Sequence, residues 1–180
     1  FLVPINAIVA GHGTWWQLLR LWAVTLVTNL AGGWALAWLG VAAFPHFEDV
    51  LLESTAQYME PGLTLETASL AILAGFTITL VTRMSQGSSE GIATLANSLI
   101  SGLLVVGLGM FHGALSSAVI FAAMHAGAET TYLQWLGWCA WVIPLNIAGG
   151  LVIITLPRLV RTWELVRAER EAQSLRSAGG

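Results

Sequence analysis

The stretch Gly107-Leu108-Gly109-Met110-Phe111-His112-Gly113 lies inside an apolar run that extends from Ile92 to Met124. A membrane-spanning helix needs about 20 apolar residues, and at a rise of about 1.5 Å per residue this run is too long for one ordinary crossing. A cluster of small residues surrounds the histidine at its centre. The run therefore predicts a broken helix, with one half from 92 to about 108, a non-helical link, and a second half from about 114 to 124.

The composition around this stretch excludes a water-soluble domain. Hydrophobic residues make up 56% of the chain and charged residues only 9%, whereas a soluble domain carries about 25% charged residues. All cationic residues are arginines and acidic residues outnumber them, so no basic stripe exists for binding nucleic acid. The single cysteine, Cys139, excludes a disulfide framework and a cysteine-built metal site. We expect an all-α integral membrane protein in a lipid bilayer, without a metal or other cofactor.

Three further apolar segments are candidate membrane spans. They run from about Leu21 to Ala43, from about Leu65 to Thr82 and from Leu133 to Leu156. Phe1 to Ala10 is too short to cross and is interpreted as the end of a fifth helix, so we expect about four full spans plus a half-helix. Phe47 to Tyr58 is predicted to form a short amphipathic helix at the outer membrane surface.

The arginines predict the orientation of the chain. Cytoplasmic loops carry an excess of basic residues, and most of the arginines follow the last span, so the C-terminus is expected in the cytoplasm. When the spans are followed backwards from the C-terminus, each crossing the membrane once, Arg20 and Arg83 also fall on the cytoplasmic side. We expect a transmembrane channel domain over residues 1–161 and a cytoplasmic tail over 162–180, in the plasma or inner membrane. Tryptophans near the predicted span ends are expected to form an interface belt. They are Trp15, Trp16, Trp34, Trp38, Trp135, Trp138 and Trp141.

A short internal repeat indicates a duplicated architecture. Asn29-Leu30-Ala31-Gly32-Gly33 recurs as Asn146-Ile147-Ala148-Gly149-Gly150, and the threading runs the two helices in opposite directions. Inverted halves that each contain a broken helix recur in transporters. We therefore expect an inverted-repeat helical bundle, with one more helix and part of another preceding Phe1. The glycine pairs are expected to allow close approach of neighbouring helices.

His112 is the only ionisable side chain predicted near the bilayer midplane. Ionisable groups there are costly and are functional-site candidates, and at a helix break the backbone must face protein or a water-lined cavity. An imidazole in that position can hydrogen-bond a small anion or pass it a proton. The alternative is a histidine that only hydrogen-bonds between helices.

Three other residues are candidates near this position. Val105 lies seven residues before His112, two turns away on the same face if the chain is helical, and is a candidate apolar constriction, with ordinary packing as the alternative. Asn29 and Asn146 carry amides that must be satisfied inside the membrane. They either join helices or support the backbone of the broken helices.

The central stretch 107–113, followed about a helix later by Asn146 and its glycines, resembles the formate/nitrite transporter family. Thr14-Trp15-Trp16-Gln17-Leu18-Leu19-Arg20-Leu21-Trp22, followed by Asn29, is similar to the pattern that enters the third helix of that family. The likeness covers about residues 1 to 161. It implies an aquaporin-like fold, a homopentamer with one pore per protomer, and passage of small monovalent anions such as formate, nitrite or hydrosulfide, with proton coupling left open.

The resemblance also implies roles for individual residues. His112 matches the central pore histidine of the family, and Asn146 matches the asparagine of its last membrane helix. Val105 falls where members often have a constricting phenylalanine. With these residues, Asn29, Gly109 and Phe111 are expected at the pore. Phe1 aligns just after the loop that breaks the second helix in the family.

Two positions depart from the family pattern. Gly75 stands where many members have asparagine on the fourth helix, and Met59 stands near a position that is often lysine. The loss of a cation is expected to weaken the attraction of anions to the vestibule.

Several function classes therefore compete. A channel or transporter for small monovalent anions leads, because protonation of the anion by His112 would remove most of the barrier that a charge meets in hydrocarbon. If the protein is instead an aquaporin-like channel for neutral solutes, we expect water or glycerol flux that does not depend on the charge of His112. A membrane haem protein would use His112 and His125, and an intramembrane protease would need Ser116 or Ser117 as its nucleophile.

Overall fold

The structure, a computed structural model, describes residues 14–87, 91–152 and 163. Within these ranges the chain forms helices and no strands, which confirms the all-α fold class. The predicted half-helix Phe1 to Ala10 lies outside the described residues, as does the predicted tail 162–180 apart from Trp163. The helices are α1 (Trp15–Ala43), a 3-10 turn (Pro45–Phe47), α2 (Glu48–Met59), α3 (Leu65–Gln86), α4 (Gly91–Gly107), α5 (Gly113–His125) and α6 (Tyr132–Gly150).

Three helices begin with the same capping arrangement. Thr14, Thr64 and Thr131 precede α1, α3 and α6, and each hydroxyl accepts a hydrogen bond from the backbone N–H three residues later. The side chain at that later position bonds back to the backbone of the threonine, which completes a capping box. These bonds satisfy backbone donors that a helix start leaves unpaired, so they fix where the three helices begin.

The long apolar run is divided into two helices, as predicted. α4 ends at Gly107 and α5 begins at Gly113, and both are short and apolar. The intervening residues 108–112 are not helical. Among the described helices, α1 and α3 have the length and apolar composition needed to cross a membrane. The predicted helix near Phe47–Tyr58 is α2, and the predicted last span begins as α6, with residues 153–156 outside the described part.

α3 and α6 approach each other through glycine. A Cβ atom at Gly75 would overlap the backbone carbonyl of Asn146, and one at Gly149 would overlap that of Ile72. A Cβ atom at Gly150 would overlap the side-chain hydroxyl of Thr79. The predicted role of Gly149-Gly150 in close helix packing is therefore confirmed. Gly75 stands where the family often has asparagine. In this protein the backbone of Asn146 occupies the space that a side chain at position 75 would need.

The equivalent role of Gly32 stays a prediction. No described atom lies within 4 Å of the place where its Cβ would stand, and Gly33 makes only an ordinary contact with Ala118, at 3.6 Å. The helix that α1 mainly packs on is α5.

The core next to the break is aromatic. Phe111 packs edge-on against Tyr58 of α2, with ring centroids 5.3 Å apart, and its ring centroid lies 6.3 Å from that of Trp138 in α6. Trp138 is 4% exposed, so the interface-belt prediction is wrong for this residue. Its neighbours Trp135 and Trp141 share its helix face because they lie three residues away on either side, and that face packs on the core. The tryptophans of α1 that remain exposed are Trp15, Trp16, Trp34 and Trp38.

Candidate functional site

The side chain of Asn146 holds the break between α4 and α5. Its Oδ1 accepts a hydrogen bond from the backbone N–H of Gly113, and its Nδ2 donates to the carbonyl of Phe111, both at 2.8 Å. Nδ2 also donates to the carbonyl of Ala71 in α3, at 2.7 Å. Backbone groups released by a break inside a membrane must be paired within the protein. Asn146 supplies that pairing and also joins α6 to α3, so it fills both of the structural roles that the sequence left open.

Gly109 turns the chain out of α4. Its φ of +58° lies in the left-handed region, which glycine adopts without steric cost. The N–H of Gly109 donates to the carbonyl of Val106, and the N–H of Met110 donates to the carbonyl of Val105. This is the hydrogen-bond pattern of a Schellman motif at a helix C-terminus. A Cβ at Gly109 would also meet the side-chain amide of Gln57 in α2. The turn therefore requires the glycine, and the amide of Gln57 would have to move to admit a larger residue.

His112 caps the start of α5. Its Nδ1 accepts a hydrogen bond from the backbone N–H of Leu115, at 3.2 Å. Its own backbone N–H donates to the hydroxyl of Ser116, at 3.1 Å, and that hydroxyl donates to the carbonyl of Met110, at 3.3 Å. These bonds fix both the backbone and the ring of His112 at the beginning of the half-helix.

The capping bond also determines which ring nitrogen carries the proton. A neutral imidazole has one donor and one acceptor nitrogen. Because Nδ1 accepts from Leu115, we assign the proton of the neutral ring to Nε2. Within the described residues, Nε2 has no hydrogen-bond partner, so this N–H is available to a solute.

A cavity of about 340 Å³ lies beside the break. His112, Gly113 and Ala114 form its wall at the start of α5, Asn146 lines it from α6 and Asn29 lines it from α1. This space is large enough for a small ion with accompanying water. The rest of the wall consists of Thr25 and large, mainly apolar side chains, namely Leu21, Trp22, Leu26, Ile78, Ile143 and Ile147.

The cavity brings together some of the predicted site residues and not others. His112, Asn29 and Asn146 line it, whereas Val105, Gly109 and Phe111 do not. Gly109 ends α4, and Phe111 belongs to the aromatic core. Their pore roles stay predictions, and the structure gives each of them a role in the backbone or in packing.

Val105 does not share a helix face with His112. It is 1% exposed and packs against Ala74 and Met110. Residues seven apart share a face only in a continuous helix. Here α4 ends at Gly107, and Gly109 adopts the left-handed conformation, so the helical relation between Val105 and His112 is lost. A constriction at Val105 stays a prediction, and the observed surroundings correspond to the packing alternative.

Thr25 is a cavity residue that sequence reasoning missed. It lies four residues before Asn29, and residues at this spacing are neighbours on one helix face. That spacing was the available signal. The mainly apolar residues around Thr25 obscure that signal.

Met59 lines a second cavity, of about 270 Å³, together with Trp138 and Trp141. The other residues of its wall are Gly62, Thr130 and Gln134. The described residues of this wall include no cation, and the weakened attraction of anions to the vestibule stays a prediction.

The structure places the residues that the alternative chemistries would use. In ranges 14–87 and 91–152 and at Trp163, no group of three or more His, Cys, Asp or Glu side chains could hold a metal ion. His112 and His125 stand at opposite ends of α5, about 20 Å apart along the helix. The hydroxyls of Ser116 and Ser117 both donate to backbone carbonyls.

An interrupted apolar helix whose break adjoins a partly polar cavity, in a bundle of apolar helices, is the architecture of a membrane channel or transporter. A family model described as formate/nitrite transporter matches residues 1–160. The chain belongs to the formate/nitrite transporter family and is a membrane-embedded transport protein. The resemblance carried by the stretch 107–113 is thereby confirmed. No curated protein and no solved structure matches the chain.

Proposed function

We propose that the full-length protein conducts small monovalent anions, such as formate or nitrite, through the cavity beside the broken helix. The observation that carries this proposal is the position of His112, which caps α5, lines the cavity and keeps its Nε2–H unpaired among the described residues. An N–H donor at a helix start attracts an anion and disfavours a cation.

The backbone at the start of α5 strengthens this preference. The N–H groups of Gly113 and Leu115 are used by Asn146 and by the His112 ring. The N–H of Ala114 has no partner in the described part of the chain, and Ala114 lines the cavity. The positive end of the helix dipole is therefore presented to the cavity together with the Nε2–H of His112.

Proton transfer to the anion requires the imidazolium form of His112. A neutral ring that gave up its Nε2 proton would become an imidazolate, whereas an imidazolium gives the same proton to formate and leaves a neutral ring and neutral formic acid. The added proton of the imidazolium sits on Nδ1, where it displaces the capping bond from Leu115. Proton-linked passage would thus couple the charge of the ring to the first turn of α5.

We further propose an inverted-repeat, aquaporin-like homopentamer with a cytoplasmic C-terminus. Family membership and the arginine distribution support this arrangement. Large apolar side chains on α1 and α4 are exposed, as expected for surfaces that face lipid or neighbouring protomers. Examples are Val27, Leu36, Leu99 and Leu103.

Uptake into proteoliposomes tests the proposal. The full-length protein is reconstituted, and entry of radiolabelled formate and of nitrite is compared with entry of glycerol and water. We expect both anions to enter faster than into protein-free liposomes. Glycerol or water flux without anion flux would contradict the proposal and favour a neutral-solute channel of the aquaporin type.

A further inference from the structure

Thr25 and Asn29 place two polar side chains on one face of α1. They lie one helical turn apart, and both line the cavity that His112 lines. Neither side chain makes a hydrogen bond with any residue of the described ranges. The remainder of this helix face at the cavity is formed by Leu21, Trp22 and Leu26.

The hydroxyl of Thr25 differs from its neighbours in the membrane helices. Serine and threonine inside a helix commonly donate to the carbonyl four residues earlier. Thr28 donates in this way to Val24, at 2.9 Å, and Thr82 donates to Ile78, at 2.7 Å. Thr25 has the same option toward Leu21 and makes no such bond.

A hydroxyl in a mainly apolar wall that has no partner among the described residues is open to water or to a solute. The hydroxyl of Thr25 and the amide of Asn29 can each donate one or more hydrogen bonds. Together with the Nε2–H of His112, they bring donors to the cavity from two different elements, α1 and the broken helix. No acidic side chain stands among the described residues that line the cavity.

We propose that Thr25 is a binding residue for the permeating anion, its hydroxyl donating to the anion from α1 with Asn29 beside it. This inference rests on the proposed function, because it assigns the cavity to an anion. It adds a binding side chain to a cavity in which the sequence predicted His112, Asn29 and Asn146.

The test is formate uptake by proteoliposomes of the full-length protein, measured over a range of formate concentrations. Thr25→Val removes the hydroxyl and keeps the shape of the side chain. Thr28→Val is the matched control, since it makes the same change on the same helix at a hydroxyl that is bonded within the helix. Thermal unfolding of each purified variant checks that the fold is retained.

We expect Thr25→Val to raise the half-saturating formate concentration about tenfold, the effect of losing one hydrogen bond to a charged group. Thr28→Val should change it less than about twofold, and the conservative variant Thr25→Ser should recover the wild-type value to within about twofold. If Thr25→Val behaves like Thr28→Val, or if Thr25→Ser fails as Thr25→Val does, the role of the hydroxyl is contradicted. Absence of formate uptake by the wild-type protein would instead overturn the proposed function.

Discussion

The side-chain oxygen of Asn146 lies 2.8 Å from the backbone nitrogen of Gly113. The amide nitrogen of the same side chain donates to the carbonyl of Phe111, so one residue of α6 bonds the chain on both sides of His112. The position of the imidazole is therefore fixed by an asparagine that lies about a helix further along the sequence.

Replacing Asn146 by alanine is expected to destabilise the protein strongly. The substitution leaves the N–H of Gly113 and the carbonyl of Phe111 at the break without their partner. A buried polar group that loses its partner costs about 1–3 kcal/mol. We expect the free energy of unfolding to fall by about 3 kcal/mol or more, measured by denaturation in detergent micelles.

Asn97 provides the control for this change. It lies on α4, and no hydrogen bond of its side chain is found within the described part of the chain. Asn97→Ala should alter the free energy of unfolding by less than about 1 kcal/mol. Equal losses for the two variants would show that Asn146 does not hold the break.

Two substitutions of His112 separate its capping role from its protonation. Asparagine is a favoured N-cap and cannot titrate, so His112→Asn should retain stability to within about 1 kcal/mol while formate uptake loses its dependence on pH. His112→Phe removes both the cap and the donor, and should lower stability by about 1 kcal/mol and uptake by at least about tenfold. The measurements are thermal unfolding and uptake between about pH 5 and 8. A wild-type pH profile in His112→Asn would refute the protonation role.

Gly109→Ala is expected to destabilise the end of α4 for two reasons. Alanine is strained at a φ of +58°, and its Cβ would meet the amide of Gln57. Left-handed backbone costs a non-glycine residue about 1–2 kcal/mol. Unfolding experiments on Gly109→Ala, Gln57→Ala and the double variant separate the two causes. We expect Gln57→Ala to recover part of the loss, and strict additivity of the two single effects would exclude the predicted contact.

Gly75→Ala should disturb the contact between α3 and α6. Its Cβ would overlap the backbone carbonyl of Asn146, and overpacking of this kind costs about 1–3 kcal/mol. Gly102→Ala is the matched control, because no described atom lies within 4 Å of the added Cβ and alanine is the better helix former. Thermal unfolding should show a loss for Gly75→Ala and no loss for Gly102→Ala. The reverse order would contradict the described packing.

The break in the long apolar run could be predicted because length and glycine content both appear in the sequence. Hydropathy predicts a first span from about Leu21, whereas α1 begins at Trp15, where Thr14 and Gln17 form the capping box. A hydropathy pattern follows apolar content, whereas the cap is a local hydrogen-bond pattern that also admits the polar residues Gln17 and Arg20.

The surroundings of Val105 and Trp138 could not be predicted from the sequence. The left-handed turn at Gly109 rotates the residues that follow it, so helical spacing no longer relates Val105 to His112. Burial of Trp138 depends on contact with Phe111 and Tyr58, which lie on other elements. Hydropathy alone does not distinguish a tryptophan at the lipid interface from one in a core of this kind.

A thiol introduced at Ala114 tests most directly whether the cavity is the route of the anion. Ala114→Cys is made in the full-length protein with Cys139, which is buried beside Ser117, replaced by alanine. Leu36→Cys in the same background is the control, because Leu36 is 70% exposed and does not line the cavity.

An anionic methanethiosulfonate reagent is applied to proteoliposomes, and formate uptake and the rate of modification are measured. If the cavity is the conduit, modification at Ala114→Cys blocks uptake and is slowed by formate, while the control continues to transport. Complete modification at Ala114→Cys with undiminished formate uptake would contradict the assignment.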